Sequence, residues 1–235
     1  MVNSEGIRVA KFLSDAGVAS RREAERLISE RRVSINGKKI DSPVNFITAD
    51  DVVKVDNKII RSHSPDDFQI YLFHKPVGVI TSARDPEGRR TIYDVLPEKY
   101  HHLKYIGRLD YNTSGLLLMT TSGDFAREMT LPNADIPRVY IAKLGGTMTM
   151  DDAMIDRMLK PVRKGIKIDG MLYRPMKIER LDASDFKITV TEGKKNEIRV
   201  VFSHIGLPVR KLHRISYGIY ELGNLPSGKI MEWKK

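Results

Sequence analysis

The sequence predicts an α+β protein made of two domains. Within the first sixty residues, two helical patterns precede several short strand patterns, and a polar segment follows. From residue 68 onward, apolar runs of strand length recur and only a few helical patterns lie between them. A chain of 235 residues with 41% hydrophobic content can bury a core in each part. We place the domains at 1–62 and 68–235, with a polar linker over 63–67.

Two short helices open the first domain. Apolar residues three apart give the first helix one buried face, consisting of Ile7, Ala10, Leu13 and Ala16. Gly17 can end this helix. Ser20 and Glu23 have the spacing of a capping box, so the second helix should begin directly after Ser20. Its buried face consists of Ala24, Leu27 and Ile28.

Short strands and tight turns follow these helices. Val33 and Ile35 alternate with polar neighbours, and Asn36-Gly37 is a strong signal for a two-residue hairpin turn. The valines at 52, 53 and 55 indicate another strand. Asp56-Asn57 then predicts a second turn before Ile59. The first domain therefore combines two helices with a small set of hairpins.

The balance of charge favours a polyanionic partner. Lys and Arg number 40 against 30 Asp and Glu, and the net charge is +10. Between Arg8 and Lys39 there are nine basic and only four acidic residues. Nucleic acid and an acidic membrane surface both fit such a balance, and an ordinary solvated helix face is the simpler alternative.

Several classes of site lack sequence support. There is no Cys, which excludes disulfides, thiolate metal sites and thiol nucleophiles. The six His are scattered, and His101-His102 lacks the i, i+4 spacing of two zinc ligands on one helix face. No glycine-rich phosphate loop, signal peptide or run of 18 apolar residues is present. We therefore expect a cytoplasmic protein, a monomer, with no metal, no cofactor and no membrane partner.

The second domain begins with a strand pattern and alternates between strands and short helices. Phe68–Phe73 is a β-type run, and Lys75-Pro76-Val77-Gly78-Val79 follows it directly. The later segments are predicted as a strand at 116–119, a helix at 125–129, a strand at 138–142, a helix at 151–159, a strand at 187–191, a helix at 198–202, and closing segments at 212–218 and 222–228.

One stretch of the second domain places charge beside a buried strand. Leu116 to Met119 is an apolar run bounded by glycines and small polar residues, and the short loop before it carries Arg108 and Asp110. A carboxylate and a guanidinium are costly in such a place unless they are paired, liganded or used. The simpler reading is an Asp that caps the turn.

Three motifs of the second domain resemble one enzyme family. The order Gly-Arg-Leu-Asp-x-x-Thr-Ser-Gly-Leu-Leu-Leu, from Gly107, closely resembles the catalytic loop of RNA pseudouridine synthases of the RsuA/RluB type. Lys-Pro-x-Gly-Val from Lys75 and Asn-Glu-Ile-Arg from Asn196 are similar to further motifs of that family. The two helices, the hairpin and the clustered cations of the first domain resemble the S4 RNA-binding domain. The resemblance implies an S4-like RNA-binding domain followed by an α/β pseudouridine synthase domain with a mixed, largely antiparallel sheet.

The resemblance also implies roles for particular residues. Asp110 would be the catalytic nucleophile, Tyr140 would pack on the target base, and Arg199 would pair with Asp110. Arg108 would help to hold the flipped nucleotide. The basic surface of the first domain would contact RNA phosphates through Arg8, Lys11, Arg21, Arg22, Arg26, Arg31, Arg32 and Lys38. Without the motif, Tyr140 would read as a core residue and Arg199 as part of a solvated face.

Two positions depart from the family pattern. Family members commonly have Gln where Glu197 stands and Asp where Ser122 stands. Glu197 puts a second carboxylate close to Arg199, which could weaken or share the pairing of Arg199 with Asp110. Neither departure removes a residue that the resemblance places in catalysis.

The predicted function is the isomerisation of uridine to pseudouridine in ribosomal RNA, with large-subunit rRNA as the expected substrate. Ribosomal RNA or a ribosome precursor would be the partner. A noncatalytic RNA-binding or ribosome-assembly protein is the alternative, but such a protein has no need of Asp110, Tyr140 and Arg199 together. A carboxylate-based glycosidase leaves the basic first domain unexplained. The residues leave open which uridine is modified, and whether the attack is on C1′ of the sugar or C6 of the base.

Overall fold

The structure, a computed structural model, describes residues 6–61 and 68–234. It divides into two compact units. The first contains the described residues up to Gln69 together with the pieces 102–104 and 120–123, and the second contains the other described residues. The linker predicted at 63–67 lies outside the described residues, so the domain boundaries stay a prediction.

The described part of the first unit holds two helices and six short strands. They are β1 (Ile7–Arg8), α1 (Val9–Asp15), α2 (Arg21–Ser29), β2 (Val33–Ile35), β3 (Lys38–Ile40), β4 (Phe46–Ile47), β5 (Val53–Val55) and β6 (Lys58–Ile60). Four strands form an antiparallel sheet in the order β3-β2-β5-β6, and β1 pairs with β4. The two helices supply the larger part of this unit's core.

Local sequence signals set most of these boundaries. The Ser20 hydroxyl accepts a hydrogen bond from the Glu23 backbone N–H at 3.2 Å, which confirms the predicted N-cap of α2. Asn36 and Gly37 both have positive φ, as the turn between β2 and β3 requires. Asp56 and Asn57 repeat this arrangement between β5 and β6.

The first helix begins later than its apolar spacing predicts. We expected Ile7 on the buried helix face, but Ile7 lies in β1, opposite Ile47, and is 43% exposed. The helix begins at Val9, and the residues it buries deeply include Val9, Ala10 and Leu13. Pairing with β4 holds residues 7–8 in an extended conformation, so a tertiary contact overrides the helical period there.

The described part of the second unit contains three helices and eleven strands. They are β7 (Ile70–Lys75), β8 (Lys104–Ile106), β9 (Thr113–Thr120), α3 (Gly123–Glu128), β10 (Arg138–Leu144), α4 (Asp152–Lys164), β11 (Ile166–Ile168), β12 (Met171–Tyr173), β13 (Lys177–Arg180), β14 (Asp185–Val190), α5 (Glu197–His204), β15 (Val209–Tyr217), β16 (Tyr220–Glu221) and β17 (Ile230–Glu232). The class is α+β, as predicted. The helix predicted at 151–159 extends to Lys164, because Val162 continues its buried face.

The central sheet is mixed and largely antiparallel, which confirms that prediction. Its order is β13-β14-β10-β15-β9-β7-β17, with β16 beside β15 and β8 beside β9. Strand β10 pairs antiparallel with β14 and β15, whereas β15 and β9 are parallel. Gly115 of β9 lies opposite Arg214, where a Cβ atom would come within 2.2 Å of the Arg214 carbonyl oxygen. Only glycine fits there, and this close approach brings the segment before β9 next to β15.

None of the described helices is both long and apolar enough to cross a membrane.

Candidate active site

A cleft of about 520 Å³ in the second unit collects the predicted site residues of that domain. We call it the Asp110 cleft; its lining includes Arg108, Asp110, Tyr140 and Arg199. Arg108 and Asp110 come from the loop between β8 and β9, Tyr140 from β10, and Arg199 from α5. The side chains of Arg108 and Asp110 are exposed, whereas Tyr140 is only 9% exposed. A charged, accessible carboxylate thus lies beside a largely buried aromatic residue.

The backbone of the Asp110 loop is held by groups from distant parts of the chain. Lys75 Nζ donates to the carbonyl oxygens of Asp110 at 3.1 Å, Thr113 at 2.8 Å and Pro76 at 3.0 Å. The Thr81 hydroxyl donates to the Leu109 carbonyl at 2.9 Å. These contacts fix the loop, and so they fix the position from which the Asp110 carboxylate projects.

Lys75 belongs to the Lys-Pro-x-Gly-Val motif, and its role is visible only in the folded structure. It is fully buried at the end of β7. Burial lowers the pKa of Lys75 to about 8, against the opposing effect of the Asp110 charge. The ammonium group is therefore still protonated at pH 7 and can donate all three hydrogen bonds.

Asn196 is the side chain that faces the Asp110 carboxylate most directly. With its amide nitrogen turned toward Asp110, Asn196 donates to the two carboxylate oxygens at 3.2 and 2.9 Å. Asn196 immediately precedes α5 and has a φ of 53°, a left-handed conformation that Asn tolerates better than most residues. This contact orients the carboxylate.

Arg199 does not form the ion pair with Asp110 that the resemblance implies. Its guanidinium donates to the backbone carbonyls of Val209 at 3.0 Å and Asn112 at 2.8 Å, and among the described residues no ion pair joins it to Asp110. Burial lowers the pKa of Arg199, and the Asp110 charge partly offsets this effect. Arg199 thus contacts the backbone of the Asp110 loop at Asn112 and is near enough to Asp110 for the two charges to interact.

A buried guanidinium to which the sequence assigned no role, that of Arg214, lies in the wall of the Asp110 cleft. Arg214 is 1% exposed, and its Nε donates to the Leu116 carbonyl at 2.7 Å. Among the described atoms, one of its terminal nitrogens has no hydrogen-bond partner. Arg214 and Arg138 flank the ring of Tyr217, at 5.1 and 4.6 Å from its centroid. The only sequence signal was a basic residue within an apolar β pattern.

Glu197, the departure from the family pattern, is neutral at pH 7. It is 5% exposed, and burial together with a hydrogen bond to Glu192 raises the pKa of Glu197 to about 8. Against the effect of burial, hydrogen bonds from Glu197, Lys194 and the Arg174 backbone N–H lower the pKa of Glu192. The protonated Glu197 carboxyl therefore donates a hydrogen bond to Glu192, and a Gln amide could also donate this hydrogen bond. Because it is mostly protonated at pH 7, it does not compete with Asp110 for Arg199.

We expect Glu197→Gln to stabilise the protein at neutral pH, with a gain that grows between about pH 4.5 and 8. In this range the native protein holds a proton on Glu197 that the unfolded chain has released, so the wild-type free energy of unfolding falls as pH rises. The variant has no such proton. The measurement is the free energy of unfolding of wild type and variant, obtained by urea unfolding at pH 5, 6.5 and 8. Glu221→Gln, at an exposed carboxylate, is the control, and an equal effect of Glu197→Gln at all three pH values would contradict the neutral state.

The predicted RNA-binding cations of the first unit fall into two groups. Some are already paired: Lys11 contacts Asp15, Arg26 contacts Glu23 and Glu30, and Arg32 contacts Asp56 and Glu30. The Arg8 guanidinium lies 5.8 Å from the Phe46 ring centroid. The remaining cations are exposed and form no ion pair with any described residue; they are Arg21, Arg22, Arg31 and Lys38.

Comparison with known proteins agrees with this architecture. The RNA pseudouridylate synthase family model matches residues 69–204, and the S4 domain model matches residues 7–53. The chain is 34% identical to ribosomal large subunit pseudouridine synthase B of Bacillus subtilis (strain 168) over 231 residues, which is 96% of this chain and 91% of that protein. It is 38% identical over 230 residues to an uncharacterized RNA pseudouridine synthase of Rickettsia conorii, covering 96% and 95% of the two chains.

A solved structure is also similar over nearly the whole length. The crystal structure of a pseudouridylate synthase superimposes with a TM-score of 0.67 at 25% identity, covering 97% of this chain and 96% of that one. The family match covers more than half of the chain, and the two domains occur in the same order as in the sequence prediction. The chain therefore belongs to the RNA pseudouridine synthases, as a member of the RluB/RsuA type that carries an S4 domain.

Proposed function

We propose that this enzyme converts uridine to pseudouridine in large-subunit ribosomal RNA, with Asp110 as the nucleophile. The observation that carries the proposal is the Asp110 carboxylate, which is exposed in a cleft while its loop is held by Lys75 and Thr81. The name of the Bacillus subtilis relative supports the choice of large-subunit RNA.

The residues of the Asp110 cleft suit an isomerisation. The reaction breaks the N1–C1′ bond, turns the base and joins C5 to C1′; N1 gains a proton and C5 loses one, so no redox step or added group is needed. Asp110 attacks as a carboxylate, and its attack on C1′ or on C6 remains open. The temporary bond to Asp110 then breaks and the carboxylate is regenerated.

Some neighbours of Asp110 bind the target nucleotide, and others orient the carboxylate. The target nucleotide must leave its stack, at a cost of roughly a few kcal/mol. Tyr140 offers its ring to the extruded base, and the exposed Arg108 holds the nucleotide or fills the space that it leaves. Asn196 orients the carboxylate, and Arg199 keeps a positive charge near it.

The direct test is to map pseudouridines in total ribosomal RNA from cells with and without the gene. We expect one or a few large-subunit positions to lose the modification in the deletion strain and to regain it when the wild-type gene is restored. Restoring Asp110→Asn should not rescue it. An unchanged pseudouridine map would reject the rRNA assignment, and rescue by Asp110→Asn would favour a noncatalytic role in RNA binding or ribosome assembly.

The two groups of cations in the first unit predict different effects on RNA binding. Arg21→Gln and Arg22→Gln should each reduce the slope of log affinity against log salt by about 0.7–0.9, the value for one lost phosphate contact. Arg26→Gln should change the slope less, because Arg26 is already paired with two carboxylates. Affinity measured against salt concentration separates these outcomes. Equal slopes in wild type and in both Arg21→Gln and Arg22→Gln would remove these residues from the RNA interface.

A further inference from the structure

A second cleft borders the catalytic carboxylate. This cleft, which we call the Tyr111 cleft, has a volume of about 880 Å³ and is lined by Tyr111, Arg89 and His204 among others. Four residues line both clefts: Asp110, Lys195, Asn196 and Arg199. The carboxylate thus lies on the border between the two spaces. An RNA strand with its target nucleotide in the Asp110 cleft has a neighbouring nucleotide within reach of the other.

Tyr111 presents an aromatic ring in this second cleft. It follows Asp110 directly and is 45% exposed, in contrast to the largely buried Tyr140. Hydrogen bonds hold the backbone on both sides of the ring: Lys75 donates to the Asp110 carbonyl at 3.1 Å and the Gly78 N–H donates to the Tyr111 carbonyl at 2.9 Å. The Tyr111 ring therefore projects from a backbone segment that is held by hydrogen bonds. Aromatic rings of this kind stack on unpaired bases.

The charge along the shared wall suits a phosphodiester. Lys195 lines both clefts, is exposed, and forms no ion pair with a described residue. Arg89 adds a guanidinium that is 46% exposed, although Asp85 and Glu87 already pair with it. Asp169 is the carboxylate in the lining besides Asp110. A cation at the wall between the clefts lies where the phosphate that joins two adjacent nucleotides would pass.

We propose that the Tyr111 cleft binds an unpaired nucleotide adjacent to the target uridine in the same strand. The base of this nucleotide stacks on Tyr111, and the connecting phosphate lies near Lys195. This inference rests on the proposed function and adds to it a subsite outside the target pocket. The enzyme then favours uridines whose neighbour on one side can leave its own stack, which selects among uridines without reading the target base itself.

The test uses an RNA hairpin that carries the uridine identified by mapping, together with versions in which the 5′ or the 3′ neighbour is abasic. Affinity is measured in the Asp110→Asn background, and single-turnover rates are measured with Asp110 in place. Tyr111→Ala should weaken binding of the intact hairpin about 5- to 150-fold, the range for loss of one base–aromatic stack. Tyr111→Phe should bind as the wild type does. Ile219→Ala, at an apolar side chain that is 74% exposed and lines neither cleft, is the matched control and should have no effect.

The abasic hairpins decide whether Tyr111 contacts a neighbouring base. On the hairpin that lacks the base stacked on Tyr111, wild type and Tyr111→Ala should bind with equal affinity. On the hairpin that lacks the base on the other side of the target uridine, Tyr111→Ala should still bind more weakly than wild type. A Tyr111→Ala defect that survives on both abasic hairpins would overturn the proposal and assign the ring to support of the loop. Unchanged binding by Tyr111→Ala would overturn it directly. A failure of the proposed function would appear earlier, as an unchanged pseudouridine map.

Discussion

Asp110→Asn should reduce the single-turnover rate of pseudouridine formation by at least about 10³-fold, the scale on which loss of a catalytic group acts. The side-chain amide keeps the shape and polarity of the carboxylate but is a very poor nucleophile. The loop should keep its position, because Lys75 and Thr81 hydrogen-bond to its backbone carbonyls and these contacts do not involve the Asp110 side chain. RNA affinity should therefore remain within a few-fold of wild type.

The measurement pairs single-turnover assays at saturating RNA with equilibrium binding. Asp156→Asn, which changes an exposed carboxylate on α4, is the control and should retain both activities. Residual turnover near the wild-type rate would remove Asp110 from the mechanism. A parallel loss of RNA binding would indicate that the substitution disturbs the fold, and the rate could not then be assigned to the missing nucleophile.

Lys75→Met should lower the free energy of unfolding by about 2–4 kcal/mol and the catalytic rate by about 10²-fold. Methionine fills a similar volume but leaves three carbonyl oxygens without the donors that Lys75 provides. Two of those carbonyls belong to Asp110 and Thr113, so the Asp110 loop loses two of the hydrogen bonds that hold its backbone. A displacement of about 1 Å at a reacting group can cost about 10²-fold in rate.

Stability is measured by urea unfolding, and the rate is measured at a temperature where the variant remains folded. Lys177→Met, at an exposed lysine at the start of β13, is the matched control and should leave both quantities unchanged. A variant that is destabilised but turns over at the wild-type rate would confine Lys75 to a structural role. A normal KM with a reduced kcat would support the positioning of Asp110.

The amino-acid sequence alone identified the family, the two types of domain and the loop that carries Asp110. It also predicted the N-cap at Ser20 and the Asn36-Gly37 turn, and the structure has both. These features depend on neighbouring residues: a cap needs a side-chain acceptor three residues before a backbone N–H, and a tight turn needs residues that accept positive φ. Such requirements are visible in a few consecutive letters.

The tertiary structure decided which groups surround Asp110. Lys75 reaches the Asp110 carbonyl across 35 residues of sequence, and Arg199 contacts the Asn112 carbonyl across 87. No periodicity encodes pairs so far apart, and Arg199 donates to backbone carbonyls rather than to the Asp110 carboxylate with which the resemblance pairs it. The Asn196 amide lies beside the carboxylate instead, because Asn196 has a left-handed backbone conformation directly before α5.

Burial likewise decided the charge states, which the sequence could not give. Glu197 reads in the sequence as a second negative charge near Arg199, yet its enclosure and its hydrogen bond to Glu192 leave it neutral at pH 7. Three of the eight predicted RNA-binding cations in the first unit form ion pairs with nearby carboxylates; they are Lys11, Arg26 and Arg32, whereas Arg21 and Arg22 form none with a described residue. The sequence determined the residue types of the Asp110 cleft and of the basic segment in the first unit. Which of them are charged, unpaired and close together depends on desolvation and on contacts between distant segments, and only the folded chain defines these.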